Sequence, residues 1–209
     1  MSSSPGSRSE ILVEELGPAL IVTFNRPEQR NAMTWAMYDG LYQACERADA
    51  DDDVRVLVLR GAGEDAFVAG TDIRQFADFT GGDDGVEYEK KITRVLDRLE
   101  GVNVPTVAAI RGYCVGAGLA IAAVCDLRLA TPDARFGIPI ARTLGNCLSM
   151  PTYALLLHHL GRPVPWICCS TRSSTPAGRR TRRGSWPNPP RISTRPSSKP
   201  STAWPGTPR

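Results

Sequence analysis

Gly112-Tyr113-Cys114-Val115-Gly116-Ala117-Gly118 follows directly on Val104-Pro105-Thr106-Val107-Ala108-Ala109-Ile110, and this junction decides the fold. The apolar run Thr106 to Ile110 predicts a strand buried in a sheet whose two faces are covered. The glycines after it predict a tight turn opening into a helix. A second turn of the same kind, Ala66-Phe67-Val68-Ala69-Gly70-Thr71-Asp72-Ile73, follows the apolar strand Val54 to Leu59 and its Gly61-Ala62-Gly63 turn. Turns of this type aim backbone N–H groups outward, toward an anionic oxygen. Neither carries the Gly-Lys-Ser/Thr of a phosphate-binding loop, and neither has the glycine spacing of the dinucleotide fingerprint.

On the N-terminal side, Ile11-Leu12-Val13 and Ala19-Leu20-Ile21-Val22 flank Gly17-Pro18, which predicts a hairpin. Thr34 is placed to cap a helix whose Met37, Leu41, Ala44, Cys45 and Ala48 recur at helical spacing, ending near the acidic run Asp49 to Asp53. Val86 to Leu99 reads as a second helix presenting Ile92, Val95, Leu96 and Leu99. Leu127 to Ala130 reads as a third buried strand, and Tyr153 to Leu160 as a helix. Alternation of strand and helix predicts an α/β fold.

The 209 residues are 42% hydrophobic and 22% charged, which excludes a wholly disordered chain. Charge is unevenly placed. All 22 acidic residues lie at or before Asp133, with 13 of the 25 Lys and Arg before that point and 12 after, so the first part carries −9 and the rest +12. The six cysteines form no CxxC and have no histidine pair at zinc spacing, so buried thiols are expected and neither a disulfide scaffold nor a metal site is indicated. No apolar run reaches about 18 residues, and the Ser-rich start Met1 to Ser9 lacks the apolar core of a signal peptide. A soluble, cytoplasmic protein with no membrane partner is the expectation.

From Pro163 to Arg209 the chain holds 10 of the 17 prolines, 14 Ser or Thr and no Asp or Glu, with no helical or strand period. Such composition supplies no packed core, so an irregular tail is expected. Trp166, Trp186 and Trp204 among arginines fit a nucleic-acid arm, because arginine neutralises phosphate and indole stacks on bases. A shift of reading frame near Pro163 accounts for the composition better. Rereading Pro165 to Ala177 two bases later, with G or C favoured at free third positions, gives Val-Asp-Leu-Leu-Phe-Asp-Ala-Leu-Val-Asp-Ala-Gly, an amphipathic helix. Nucleic acid is therefore not expected as a partner. The expected organisation is a disordered 1–9, a core over 10–162 and the irregular tail 163–209.

Taken in order, the motifs resemble the crotonase superfamily, the enoyl-CoA hydratase/isomerase family, over about Ile11 to Gly161. They are Asn25-Arg26-Pro27, Asn31-Ala32-Met33, Val54 to Gly61, Phe67 to Ile73, Val104 to Ile110, Gly112 to Gly118, Cys125-Asp126-Leu127-Arg128 and Phe136-Gly137-Ile138-Pro139. The resemblance implies a spiral of ββα units, here truncated, that binds acyl-CoA thioesters and assembles as trimers or hexamers. It implies no cofactor beyond the coenzyme A of the substrate. It also implies an oxyanion hole made by the amides of Thr71 and Ala117, the latter in place of a usual glycine. Ala69, Thr71, Asp72, Ile73, Arg74 and Ala117 then lie along the CoA, with Arg30 and Arg74 as phosphate contacts.

Where relatives that hydrate enoyl-CoA carry two glutamates, this chain has Ala120 and Ile140. Syn hydration, as implied for the family, then lacks its proton carriers. Arg142, Thr143, Asn146, Cys147, Tyr113 and Cys114 are the polar groups nearest those positions in sequence, and His158-His159 sits on the last expected helix. The leading expectation is an enoyl-CoA hydratase/isomerase-like protein that stabilises an enolate. The alternatives are a decarboxylase or thioester hydrolase of the same fold, and a CoA-binding pseudoenzyme or nonfunctional truncated product.

Overall fold

The computed structural model describes residues 9–77, 79–138, 150–160 and 175–176. The chain opens with the expected hairpin, β1 (Ile11–Leu16) against β2 (Ala19–Phe24), in antiparallel register with Leu16 opposite Ala19. Gly17 turns it at φ +57°, a conformation glycine adopts without a Cβ penalty. Helix α1 (Trp35–Ala50) follows, capped by Thr34, whose hydroxyl accepts from the Met37 amide at 3.3 Å. Its face of Met37, Tyr38, Leu41, Ala44, Cys45 and Ala48 is buried.

A three-element unit then recurs. In the first, β3 (Val56–Gly61) enters one sheet, β4 (Ala66–Ala69) enters another, and α2 (Gly82–Glu100) returns. In the second, β5 (Thr106–Ile110), β6 (Tyr113–Val115) and α3 (Ala117–Val124) repeat the pattern. A third begins with β7 (Leu127–Ala130) and β8 (Arg135–Gly137), and the next described helix is α4 (Met150–Leu160). The first strands of the units extend a five-stranded sheet in the order β1-β2-β3-β5-β7, and their second strands form a sheet in the order β4-β6-β8-β9, where β9 is Thr175–Pro176. Pairing between successive units is parallel in both sheets, so each unit returns to the sheets by a crossover connection. This is the expected spiral of ββα units.

Three sequence expectations change. The sequence predicts one loop between a strand and a helix at each glycine-rich turn, yet each contains a further strand, β4 and β6, too short to show a period. The strand β7 has the expected bounds but is not buried on both faces. It lies at the sheet edge with β5 as its neighbour among the described strands, and Leu129 is exposed. Helix α2 begins four residues early because the Asp84 carboxylate accepts from the amides of Thr80 (2.6 Å) and Gly81 (3.1 Å), satisfying donors that open a helix. Ile140, Arg142, Thr143, Asn146 and Cys147 lie outside the described residues, as does the tail 163–209 apart from Thr175–Pro176, which pairs antiparallel with β8.

The core runs from the sheet through α1 to α3. Leu20, Val22, Phe24, Leu57 and Leu59 meet Met33, Met37 and Leu41 on one side, while Phe67, Val68, Cys114, Leu119 and Ile121 continue it under α3. Phe24 and Phe67 meet edge to face at 5.7 Å, tying the two sheets together. Gly112 joins β5 to β6 at φ +61°, and a Cβ there would overlap the Asp65 carbonyl. Gly112→Ala therefore imposes left-handed strain of about 1–2 kcal/mol and overpacking of about 1–3 kcal/mol. Urea unfolding should show stability reduced by roughly 2–5 kcal/mol, the range those two costs span together. Unchanged stability would mean that β6 does not approach Asp65 this closely.

Candidate functional site

Strands β4 and β6 pair in parallel, with Ala69 opposite Val115, and both end in the same way. The next residue is a glycine at positive φ, Gly70 at +93° and Gly116 at +57°. A Cβ on Gly116 would stand 3.4 Å from the Gly70 Cα, so the two turns lie against each other. The residues after the glycines are Thr71 and Ala117. Met33 brackets Thr71 in a parallel bridge, its amide donating to the Gly70 carbonyl and its carbonyl accepting from the Asp72 amide, both at 2.9 Å. In such a bridge the N–H of Thr71 itself points away from Met33. Ala117 is the first residue of α3, where amides have no intrahelical acceptor. Among the described residues no acceptor takes the Thr71 or the Ala117 amide.

Behind the turns runs a polar network of fixed charges. Buried Asn31, at φ +56°, accepts from the Arg26 amide at 2.9 Å and donates to the carbonyls of Ala62 (2.9 Å) and Ala66 (2.7 Å). It therefore bridges the ends of β3 and β4. Arg26 donates to the Ala32 carbonyl at 2.7 Å, and its guanidinium pairs with Glu10 at 3.1 Å and Asp72 at 3.0 Å. Asp72 caps the short 3-10 turn Ile73–Phe76 and holds Arg74 through its Nε at 2.9 Å and its second nitrogen at 2.6 Å. The Arg74 side chain, then burial opposing it, then the Arg74 amide and Arg26 set the Asp72 carboxyl, with the net effect well below the usual carboxylate range.

Of the residues singled out in the sequence, Thr71, Ala117 and Ala69 meet at the paired strand ends, with the Ala69 amide donating to the Arg30 carbonyl at 3.0 Å. Ile73 is exposed on the 3-10 turn beside them. Asp72 and Arg74 are engaged with each other. Arg30 is exposed, and its guanidinium lies over the Tyr113 ring at 5.0 Å, with that of Arg135 at 5.7 Å from the same ring. Ala120 is a buried core residue three positions after Ala117. Cys114 is fully buried, and burial pushes its thiol far above the ordinary range, which leaves no thiolate at neutral pH. The histidine pair 158–159 lies on α4.

Two residues were missed. The hydroxyls of Tyr38 on α1 and Tyr88 on α2 both reach the Thr71 hydroxyl, at 2.7 and 2.9 Å. Each sits on the apolar stripe of its helix, which reads as packing until the long-range contact is known. Burial raises both phenols above their ordinary range.

The model of the enoyl-CoA hydratase/isomerase family matches residues 17–163. The chain is 34% identical over 131 residues to the short-chain-enoyl-CoA hydratase of Clostridium acetobutylicum, covering 63% of this chain and 50% of that protein. It is 34% identical over 131 residues to the 2,3-dehydroadipyl-CoA hydratase of Escherichia coli, again covering 63% and 50%. A solved enoyl-CoA hydratase/carnithine racemase from Magnetospirillum magneticum superposes with a TM-score of 0.76 at 32% identity, over 82% of this chain and 64% of the other. The chain belongs to the enoyl-CoA hydratase/isomerase family and has the crotonase fold. It spans about half the length of the curated relatives it matches. Among the described residues there is no cluster of metal-ligating side chains and no helix long and apolar enough to cross a membrane.

The Asp72 pairing has a pH signature. A carboxyl held below its unfolded value contributes stability that is fully present above the unfolded pKa of about 3.9 and is lost as pH falls toward the folded value. The melting temperature of the wild type should therefore fall more steeply between about pH 4 and pH 2 than that of Asp72→Asn, which has no proton to take up at this position. Parallel curves would mean that Asp72 is not paired in the folded protein.

Proposed function

We propose that this protein binds an acyl-CoA thioester and polarises its carbonyl oxygen between the backbone N–H groups of Thr71 and Ala117. The observation that carries this reading is the pair of register-matched strand ends, each turning at a left-handed glycine into an amide with no acceptor among the described residues. Ala117 adds the partial positive charge of a helix N-terminus. Two such donors suit an oxygen that gains negative charge as the thioester becomes enolate-like. Each donor fixed in a water-poor site contributes roughly 2.7–4 kcal/mol to the transition state. Main-chain atoms do this work, so the methyl group of Ala117 leaves the donor intact.

The proton-transfer role that the family resemblance implies for a glutamate at the position of Ala120 is not available to an alanine side chain. The reading is accordingly thioester recognition and enolate stabilisation, with the activity that follows set by groups elsewhere. Exposed Arg30, stacked on Tyr113, is the cation at this end of β4 best placed for a CoA phosphate, since Arg74 already holds Asp72. The coenzyme A is part of the substrate, and no separate cofactor enters.

Calorimetric binding of butyryl-CoA against free CoA tests the proposal. The wild type should prefer the acyl form. Ala117→Pro removes the N–H, and proline is tolerated at the first position of a helix, so circular dichroism should show a folded protein. That variant should lose the preference by up to about tenfold, the worth of one neutral hydrogen bond in the ground state, whereas Ala117→Gly should keep it. Equal affinity for both ligands in the wild type, unchanged in folded Ala117→Pro, would overturn the proposal.

A further inference from the structure

We infer that Tyr38 and Tyr88 are positioning residues that hold Thr71, through its hydroxyl, so that its amide stays aimed at the substrate oxygen. The inference rests on the thioester reading above and assigns a role to two side chains outside the paired turns.

Thr71 follows Gly70 at φ +93°, a residue with no Cβ to restrain its backbone. Its neighbouring peptide groups are pinned to Met33 on one side only. The amide and carbonyl of Thr71 itself take no part in that bridge, so the side chain is the remaining point of attachment. That side chain is met from two helices at once. The Tyr38 hydroxyl comes from α1 at 2.7 Å and the Tyr88 hydroxyl from α2 at 2.9 Å.

The tyrosines are themselves held in place. Trp35 packs on both, with ring centroids 6.2 Å from Tyr38 and 5.6 Å from Tyr88, and Phe76 of the 3-10 turn meets Tyr88 edge to face at 5.0 Å. A threonine hydroxyl has one proton to donate and lone pairs to accept, so it can serve one tyrosine as donor and the other as acceptor. Burial keeps both phenols neutral at physiological pH, so the cluster brings no negative charge beside a developing oxyanion. An alanine at position 71 would present the same N–H. What threonine adds is the tether, and a donor misplaced by about 1 Å loses much of its effect.

A purely structural role for these hydroxyls, satisfying one another in a buried place, predicts altered stability and nothing more. The distinguishing readout is the infrared carbonyl stretch of butyryl-CoA labelled with carbon-13 at the thioester, bound to the full chain, with thermal melts recorded in parallel. The wild type should lower the stretch relative to free ligand, and Thr71→Ser, which keeps the hydroxyl, should retain that shift. The Tyr38→Phe/Tyr88→Phe double variant and, independently, the near-isosteric Thr71→Val should return the stretch at least halfway to the free value. Their preference for butyryl-CoA over CoA should fall by roughly two- to fivefold, part of what one neutral hydrogen bond contributes, with affinity for free CoA unchanged. A folded double variant or Thr71→Val that keeps the full shift overturns the inference while leaving the thioester reading intact. A wild type with no shift overturns both.

Discussion

The α-carbon of Gly118 lies where no methyl group fits, and the site depends on that closeness. A Cβ there would overlap the Val68 carbonyl oxygen and stand 2.8 Å from the Val68 Cβ. Because only hydrogen occupies the space, α3 can begin directly over β4 instead of standing a side chain's width away. The helix that starts at Ala117 is thereby brought beside the turn that ends β4. The same economy of volume recurs at Gly61, where a Cβ would overlap the carbonyls of Ala66 and Phe67, and at Gly112 against Asp65. These glycines bring the strand ends together, and the positive-φ glycines 70 and 116 then turn the chain so that the next amides are left without acceptors among the described residues.

Charge reinforces what the glycines allow. Arg26 is nearly buried and has a carboxylate on either side, Glu10 from just ahead of β1 and Asp72 from the turn after β4. Leaving a buried charge unpaired costs several kcal/mol, so the three groups constrain one another's position. Asn31 does the same for neutral groups, since losing it would strand the buried Ala66 carbonyl, at roughly 1–3 kcal/mol, and take a donor from the half-buried Ala62 carbonyl. On the far face the Arg98 side chain ties α2 to α1 by bonds to Glu46 and Asp49, the latter at 2.6 Å. The acidic excess of the first 133 residues is thus partly spent on internal pairs.

Much of this was legible in the sequence wherever a residue's environment repeats along the chain. Thr106 to Ile110 was bounded correctly because its apolar run lies between Pro105 and Arg111-Gly112, and Leu127 to Ala130 because Asp126 precedes it and Thr131-Pro132 follows. Helix α1 was legible from Met37, Leu41, Ala44 and Cys45 at helical spacing and from Thr34 ahead of them. The three-residue strand Tyr113 to Val115 was not, because so short a segment has no period and its identity comes from its neighbours β4 and β8. Asp72 and Arg74 read as ligand-facing groups, and the structure joins them to each other. Thr71 and Ala117 stand out through the turn motifs that resemble the family's, whereas the contact of Tyr38 and Tyr88 with Thr71 was invisible. Their meeting at Thr71 links residues 33 and 17 positions apart, which no local pattern encodes.

The most direct test is to watch the two amides themselves. In a protein labelled with nitrogen-15, titration with butyryl-CoA should move the amide proton resonances of both Thr71 and Ala117 downfield, as new hydrogen bonds to the thioester oxygen form, while free CoA should leave those two nearly in place. If butyryl-CoA binds and shifts resonances elsewhere while Thr71 and Ala117 stay where free CoA leaves them, the paired strand ends do not read the thioester carbonyl.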